Sequence, residues 1–304
     1  MNFEKVVWND YPGNPLIEPR WPEWMIADPT VLTPDDSPDG RWHLFANSLL
    51  GVHHFAGRDG VEWKYLRKVG PMGMRPFVRR HGGVYFLFYE KFDPPPFRSN
   101  IVVRRSDDLK KWSDEKTALS GSLPWHKSGI FKTRGNPCAV LWKDEYLLFY
   151  SAGVVFLKDC MFFEPRHIGV ARAASIEGPY VPDAEPIISP GPAGEFHNLG
   201  AGAIKVVADE ENGVLWGFNN GIYIDAENKS RSAILLIKST DGVAWTPVGG
   251  GRPILKPEAG GWKRALVYAL DVRLIGNEAY LYYNARDGWF IGKERIGLAI
   301  GREA

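Results

Sequence analysis

Five short runs of apolar and aromatic residues carry one signature along the chain: RWHLFAN (41–47), VYFLFYE (84–90), EYLLFYS (145–151), VLWGFNN (214–220) and AYLYYNA (279–285). Superposed on their fifth residue, they bring Phe45, Phe88, Phe149, Phe218 and Tyr283 into register at separations of 43, 61, 69 and 65 residues. Each run has the length of a strand, favours strand over helix, and is apolar at consecutive positions, which predicts burial on both faces. Upstream of each lies a second apolar strand: ADPTVL, MRPFVR, GNPCAVL, GAGAIKVV and YALDVRLI. Downstream of the first four comes a third, closed by a polar turn and an aromatic residue, as in VVRRSDDLKKW and LLIKSTDGVAW.

A sheet of three or four antiparallel strands repeated five times, with helical patterning nearly absent, is the sequence sign of an all-β, five-bladed β-propeller. The expected blades run approximately over 20–65, 70–115, 130–185, 196–250 and 262–304, in one domain spanning 1–304. The fifth copy, IGLAIGREA, stops at the chain end, so the N-terminal segment FEKVVW within residues 1–10 is expected to supply its outer strand.

Composition excludes several function classes. The 304 residues carry 37 basic and 36 acidic side chains, a formal charge of +1 with no long run of either sign, so no electrostatic footprint for nucleic acid is present. No stretch approaches the length of an apolar membrane span, and the opening MNFEKVVWND lacks the order of a secretion signal; a cytoplasmic protein is the expectation. Two cysteines, Cys138 and Cys160, make no disulfide framework or metal motif. Nucleotide-binding loops and Ser-His-Asp patterns are absent.

The ADP that opens the first inner strand, the G-x-Y-x-L-x-Y second strand and the S-x-D-x-x-x-W or S-x-x-G-P-Y ends of third strands resemble the five-bladed propeller glycosidases, family 43 with its relatives in families 32, 62, 68 and 130. The resemblance covers nearly the whole chain. It implies a carbohydrate substrate, a general-base role for Asp28, a pKa-tuning aspartate opening the third inner strand and an acid glutamate opening the fourth. It also admits a central structural metal ion, whereas the residues themselves require no cofactor. In this chain Asn136 stands at the third position, and NLGAGAI at the fourth holds no carboxylate.

The beginnings of inner strands and the ends of second strands share one rim of an antiparallel blade, which defines the remaining candidates. Glycoside hydrolysis needs two carboxyl groups, one to protonate the leaving oxygen and one to act as base or nucleophile. With Asp28 as base, the acid is expected from Glu90, which ends an aromatic strand, or from Glu195, which precedes the fourth inner strand with His197 nearby to orient it. Substrate-binding candidates are Arg75, Arg134, Asn136, His197, Asp271, Asn284 and Trp289. Arg75, Arg79 and Arg134 also open a phosphorolytic alternative, because guanidinium forks bind phosphate. A carbohydrate-binding propeller without catalysis is the other alternative.

Overall fold

The computed structural model describes residues 1–304 and contains five antiparallel sheets in sequence order, with only short 3-10 turns for helix. The innermost strands are Ala27–Leu32, Gly73–His81, Arg134–Trp142, Gly200–Asp209 and Leu266–Ile275, and the second strands are Trp42–Ser48, Val84–Phe92, Glu145–Leu157, Val214–Ile224 and Glu278–Arg286. The five register residues Phe45, Phe88, Phe149, Phe218 and Tyr283 have no solvent exposure, which is why each second strand reads as apolar on both faces.

The fifth sheet is completed from the other end of the chain. Val6–Asp10 pairs antiparallel with Glu294–Glu303, from Val6 opposite Glu303 to Asp10 opposite Ala299. Phe3, in the turn before that strand, is buried against Trp216 and Phe218 of the fourth blade and stacks parallel to Trp8. The closing segment therefore bridges two blades.

Each innermost strand carries a β-bulge near the same rim: two residues stand opposite one at 28–29, 75–76, 136–137, 201–202 and 268–269. In the first three blades the first bulged residue has left-handed backbone, with φ of 53° at Asp28, 54° at Arg75 and 51° at Asn136, and proline follows each time. Proline suits the second position because a bulged residue makes no ladder bond and loses nothing by lacking an N–H. The bulge turns the preceding side chain toward the axis.

Adjacent blades satisfy the polar backbone that the bulges free. The Asp28 N–H donates to Asn284 Oδ1 at 3.0 Å and the Arg75 N–H to Asn47 Oδ1 at 2.6 Å, each acceptor lying at the end of the preceding blade's second strand. Ser151 Oγ and Asn220 Nδ2 donate in the same way to the carbonyls of Gly202 and Val267. At the second-to-third boundary Glu90 takes this place, packed so tightly on Gly135 that a Cβ there would fall 1.9 Å from its Oε2.

Deeper along the axis a polar belt fills the channel. Asp271 accepts from Thr30 Oγ1 at 3.0 Å, the Val31 N–H at 2.8 Å and Arg79 Nη2 at 2.8 Å, with Arg273 Nη2 3.4 Å away. Lys205 Nζ donates to the Pro137 carbonyl, and Cys138 Sγ accepts from the Val206 N–H. Burial pushes the Asp271 carboxyl upward, but Arg273 and Arg79 outweigh it and hold it well below the usual carboxylate range. Substituting Asp271→Asn would leave two guanidinium groups facing each other without a counter-charge. The expected cost is about 3–5 kcal/mol of folding stability, read from the shift in denaturant midpoint; a cost near zero would remove the belt as a structural element.

Candidate active site

The bulges put Asp28, Arg75 and Asn136 around the mouth of the axial channel, where the bulged Gly202 and Tyr268 line it from the fourth and fifth blades. The cavity they line measures about 400 Å³. Two further carboxyl groups enter it from third strands: Glu164, in the strand Phe162–Ala173, and Glu294, the first residue of Glu294–Glu303. Asn220, Asn284 and Arg286 complete its polar lining, and Trp24, Leu49, Phe162, Phe163 and Phe290 form much of its wall.

Electrostatics in this cavity favour protonated carboxyls. Burial raises the Asp28 carboxyl, with Arg75 and Lys205 opposing. Burial pushes Glu164 up to about 7, opposed by Arg75 and reinforced by Asp28. Glu294 goes up to about 8 through burial and then the Asp28 charge, although Asn284 Nδ2 donates to it. Burial opposes ionisation of all three carboxyls, and the Asp28 charge adds to it at Glu164 and Glu294. Asn47 and Tyr268 lie near enough to Asp28 and Glu164 to favour their ionised forms, and Arg286 Nε on the cavity lining is buried without a partner, which gives a ligand a donor to meet.

A second recess of about 220 Å³ opens from the first between the second and third blades. Arg75, Asn136, Phe163 and Glu164 line both; Glu90, Phe92, Pro96 and Phe131 line only the recess. Arg75 Nη1 meets Glu90 Oε2 at 2.5 Å, so the guanidinium at the junction is anchored from beneath.

Of the sequence-derived candidates, Asp28, Arg75, Asn136 and Asn284 meet in the main cavity, and Glu90 lines the recess, where it is paired with Arg75. Five others do not come together with them. Glu195 sits half-exposed in the loop before the fourth inner strand, 3.4 Å from His197 Nε2, and neither residue lines the cavity; nearness in sequence to the inner strand does not bring that loop over the mouth. Arg134 precedes the rim bulge and donates to the Gly121 carbonyl on the flank between blades. Trp289 lies under the Arg231 and Arg264 guanidinium groups and donates to the Ser230 carbonyl. Asp271 lies three residues below Tyr268, roughly 10 Å deeper along the strand, where its oxygens are taken by the belt.

The axis also argues against the central ion that the resemblance admits. Arg79, Arg273 and Lys205 crowd the one axial carboxylate, a donor set that repels a cation, and no group of three His, Cys, Asp or Glu side chains is arranged to hold a metal. Glu294 is the carboxyl that the sequence candidates missed, and Glu164, expected at this rim from its long loop, had no role assigned. The signal open to the reader was an acidic residue at or near the start of an apolar third strand, FFEPRHIGVA and ERIGLAIG.

No known family profile matches the chain, and no curated protein matches it. Solved structures do. A family 62 α-L-arabinofuranosidase catalytic domain from Coprinopsis cinerea superposes with a TM-score of 0.70 at 15% identity, covering 98% of each chain. The five-bladed fold is shared with glycosidases. An N-acetylgalactosamine deacetylase from F. plautii, solved with blood group B trisaccharide, superposes with a TM-score of 0.70 at 14% identity over 96% of this chain and 95% of its own. A member of family 130, a family of mannoside phosphorylases that contains glycoside hydrolases targeting β-1,2 mannosidic linkages, gives 0.67 at 14% identity over 98% of this chain and 95% of its own.

The raised carboxyls have a consequence for stability. A glutamate that titrates near 4.5 unfolded and near 8 folded binds more protons in the native state across that range, so its contribution is full below the lower value and lost as pH rises through the upper one. Buried histidines such as His43 and His54, whose pKa values are lowered by burial, act in the opposite sense below their ordinary 6.5. The clean window is thus from about pH 7 to about pH 9. Melting temperature is expected to fall across it in the wild type and to fall less in Glu294→Gln; identical slopes would show that Glu294 does not change charge there.

Proposed function

We propose that the protein hydrolyses a glycosidic bond, with Asp28 as general base and Glu164 as general acid. The observation that carries this reading is the position of Glu164. Alone among the three raised carboxyls it borders both compartments, where an acid must stand to protonate the oxygen between a sugar in the main cavity and a leaving group in the recess. Its pKa of about 7 keeps much of it protonated at neutral pH. Asp28, on the first blade and confined to the main cavity, faces the space a sugar would fill and can activate water there.

The other polar groups divide the work of binding. Arg75, fixed by Glu90, and Arg286 compensate carboxylate charge, and Arg286 Nε and the Asn136 amide stand on the lining to meet sugar hydroxyls. Glu294 lies close enough to Asp28 to raise its own pKa, and a proton on Glu294 leaves Asp28 easier to ionise. This division departs from the expected acid positions: Glu90 holds an arginine, and Glu195 is outside. Glycosidase neighbours support the reaction class, as the coarse match of fold.

Phosphorolysis is the second reading, favoured by the two guanidinium groups, Arg75 and Arg286, that line the cavity. A panel of aryl glycosides assayed with and without inorganic phosphate separates the two, since only phosphorolysis is phosphate-dependent.

Substituting Glu164→Gln should reduce turnover by about 10²–10⁴-fold on glycosides with poor leaving groups and far less where the leaving group departs unprotonated, while Asp28→Asn should fail on both. The alkaline limb of the kcat/KM profile, near pH 7 in the wild type, should vanish in Glu164→Gln because the acid form must be protonated to act. An unchanged profile in that variant would take the acid role away from Glu164, and full activity in Asp28→Asn would take away the base.

A further inference from the structure

The recess has a chemical character that the proposed reaction does not by itself require. Its floor is polar: Glu90 is engaged with Arg75 and Ser151 Oγ with the Gly202 carbonyl, which leaves Thr133 and, at the junction with the main cavity, Asn136 and Glu164. Its walls are Phe92, Phe131, Phe163 and Pro96. Phe131 packs against Phe163 with ring centroids 4.5 Å apart and stacks on Phe97 at 5.7 Å, so the aromatic wall continues outward to the surface, where Phe97 and Phe163 are 41% and 39% exposed. Tyr268 and Arg286, by contrast, line the main cavity and not the recess.

A sugar ring presents hydroxyls around its whole edge, and each one buried without a partner is costly. The main cavity carries such partners around its lining, whereas in the recess they lie on the floor and at the junction, and the walls are apolar. We propose that the recess is the leaving-group subsite and that it takes an apolar, aromatic aglycone instead of a second sugar, so that the substrate is a single sugar linked to an aryl group. This rests on the hydrolytic reading of Glu164 for the word leaving group; the aromatic preference of the recess rests on its walls alone. Sugar in the main cavity and ring in the recess place the connecting oxygen at Glu164 and Arg75, the two charged side chains common to both spaces.

The test has two arms so that the two claims fail separately. In the first, 2-naphthol is titrated into the intact protein and binding is followed by its own fluorescence. Saturable binding is expected, weakened about tenfold in Phe131→Ala, the loss of one aromatic packing partner, and unchanged in Phe290→Ala, whose ring lines only the main cavity. Binding that is absent, or indifferent to Phe131, overturns the aromatic recess whether or not any glycoside is hydrolysed. In the second arm, the naphthyl glycoside, methyl glycoside and disaccharide of whichever sugar is accepted are compared. Phe131→Ala is expected to raise KM for the naphthyl glycoside about tenfold and to leave the methyl glycoside unaltered. A disaccharide preferred over the naphthyl glycoside in kcat/KM would overturn the proposal, and no turnover of any glycoside would overturn the hydrolytic reading while the naphthol result still decides the recess.

Discussion

A ring of packed sheets is stable only if its first and last members are joined, because an open fifth sheet would present an unpaired edge and an uncovered apolar face. Here the joint is five residues long, Val6–Asp10 against the final strand, reinforced by Phe3 in the aromatic core of the fourth blade. The same final strand begins with Glu294 at the cavity. Closure and site thus share one strand: its last residues take the closing segment, and its first, Glu294, is fixed by backbone bonds with Trp24 and Ile26.

The rim works by a repeated exchange between blades. Left-handed backbone at a non-glycine residue costs on the order of 1–3 kcal/mol, and it is borne at Asp28, Arg75 and Asn136 together. What offsets that cost at two of them is the amide of the preceding blade, Asn284 or Asn47, which accepts the N–H that the bulge frees. Side chains that point into the cavity are thus fixed by main-chain geometry and by neighbours one blade away, with the deep belt around Asp271 preventing the blades from sliding along the axis.

The blades were legible in the sequence because packing on both faces imposes a signature on every second strand, and Phe45 to Tyr283 keep it despite loops of unequal length. Asp28 was legible for a related reason: a carboxylate followed by proline at the head of a buried strand contradicts the strand's own pattern. The remaining site was harder to read. Asp271 breaks the same rule for a structural purpose, and only its depth along the strand separates the two cases. Glu195 was favoured by its position in the chain, yet its loop turns outward. Glu164 and Glu294 reach the cavity from third strands, whose distance from the axis depends on how far those strands extend past the bulges, a matter of register that a single sequence does not display.

Because the backbone alone aims the residues before Pro29, Pro76 and Pro137, what stands at those positions can be exchanged without redesigning the blades that carry them. Each is a socket: aspartate in one, arginine in the next, asparagine in the third, all seated by the same kink. The frame fixes where reactive groups stand, and evolution is left to choose only which ones to plug in.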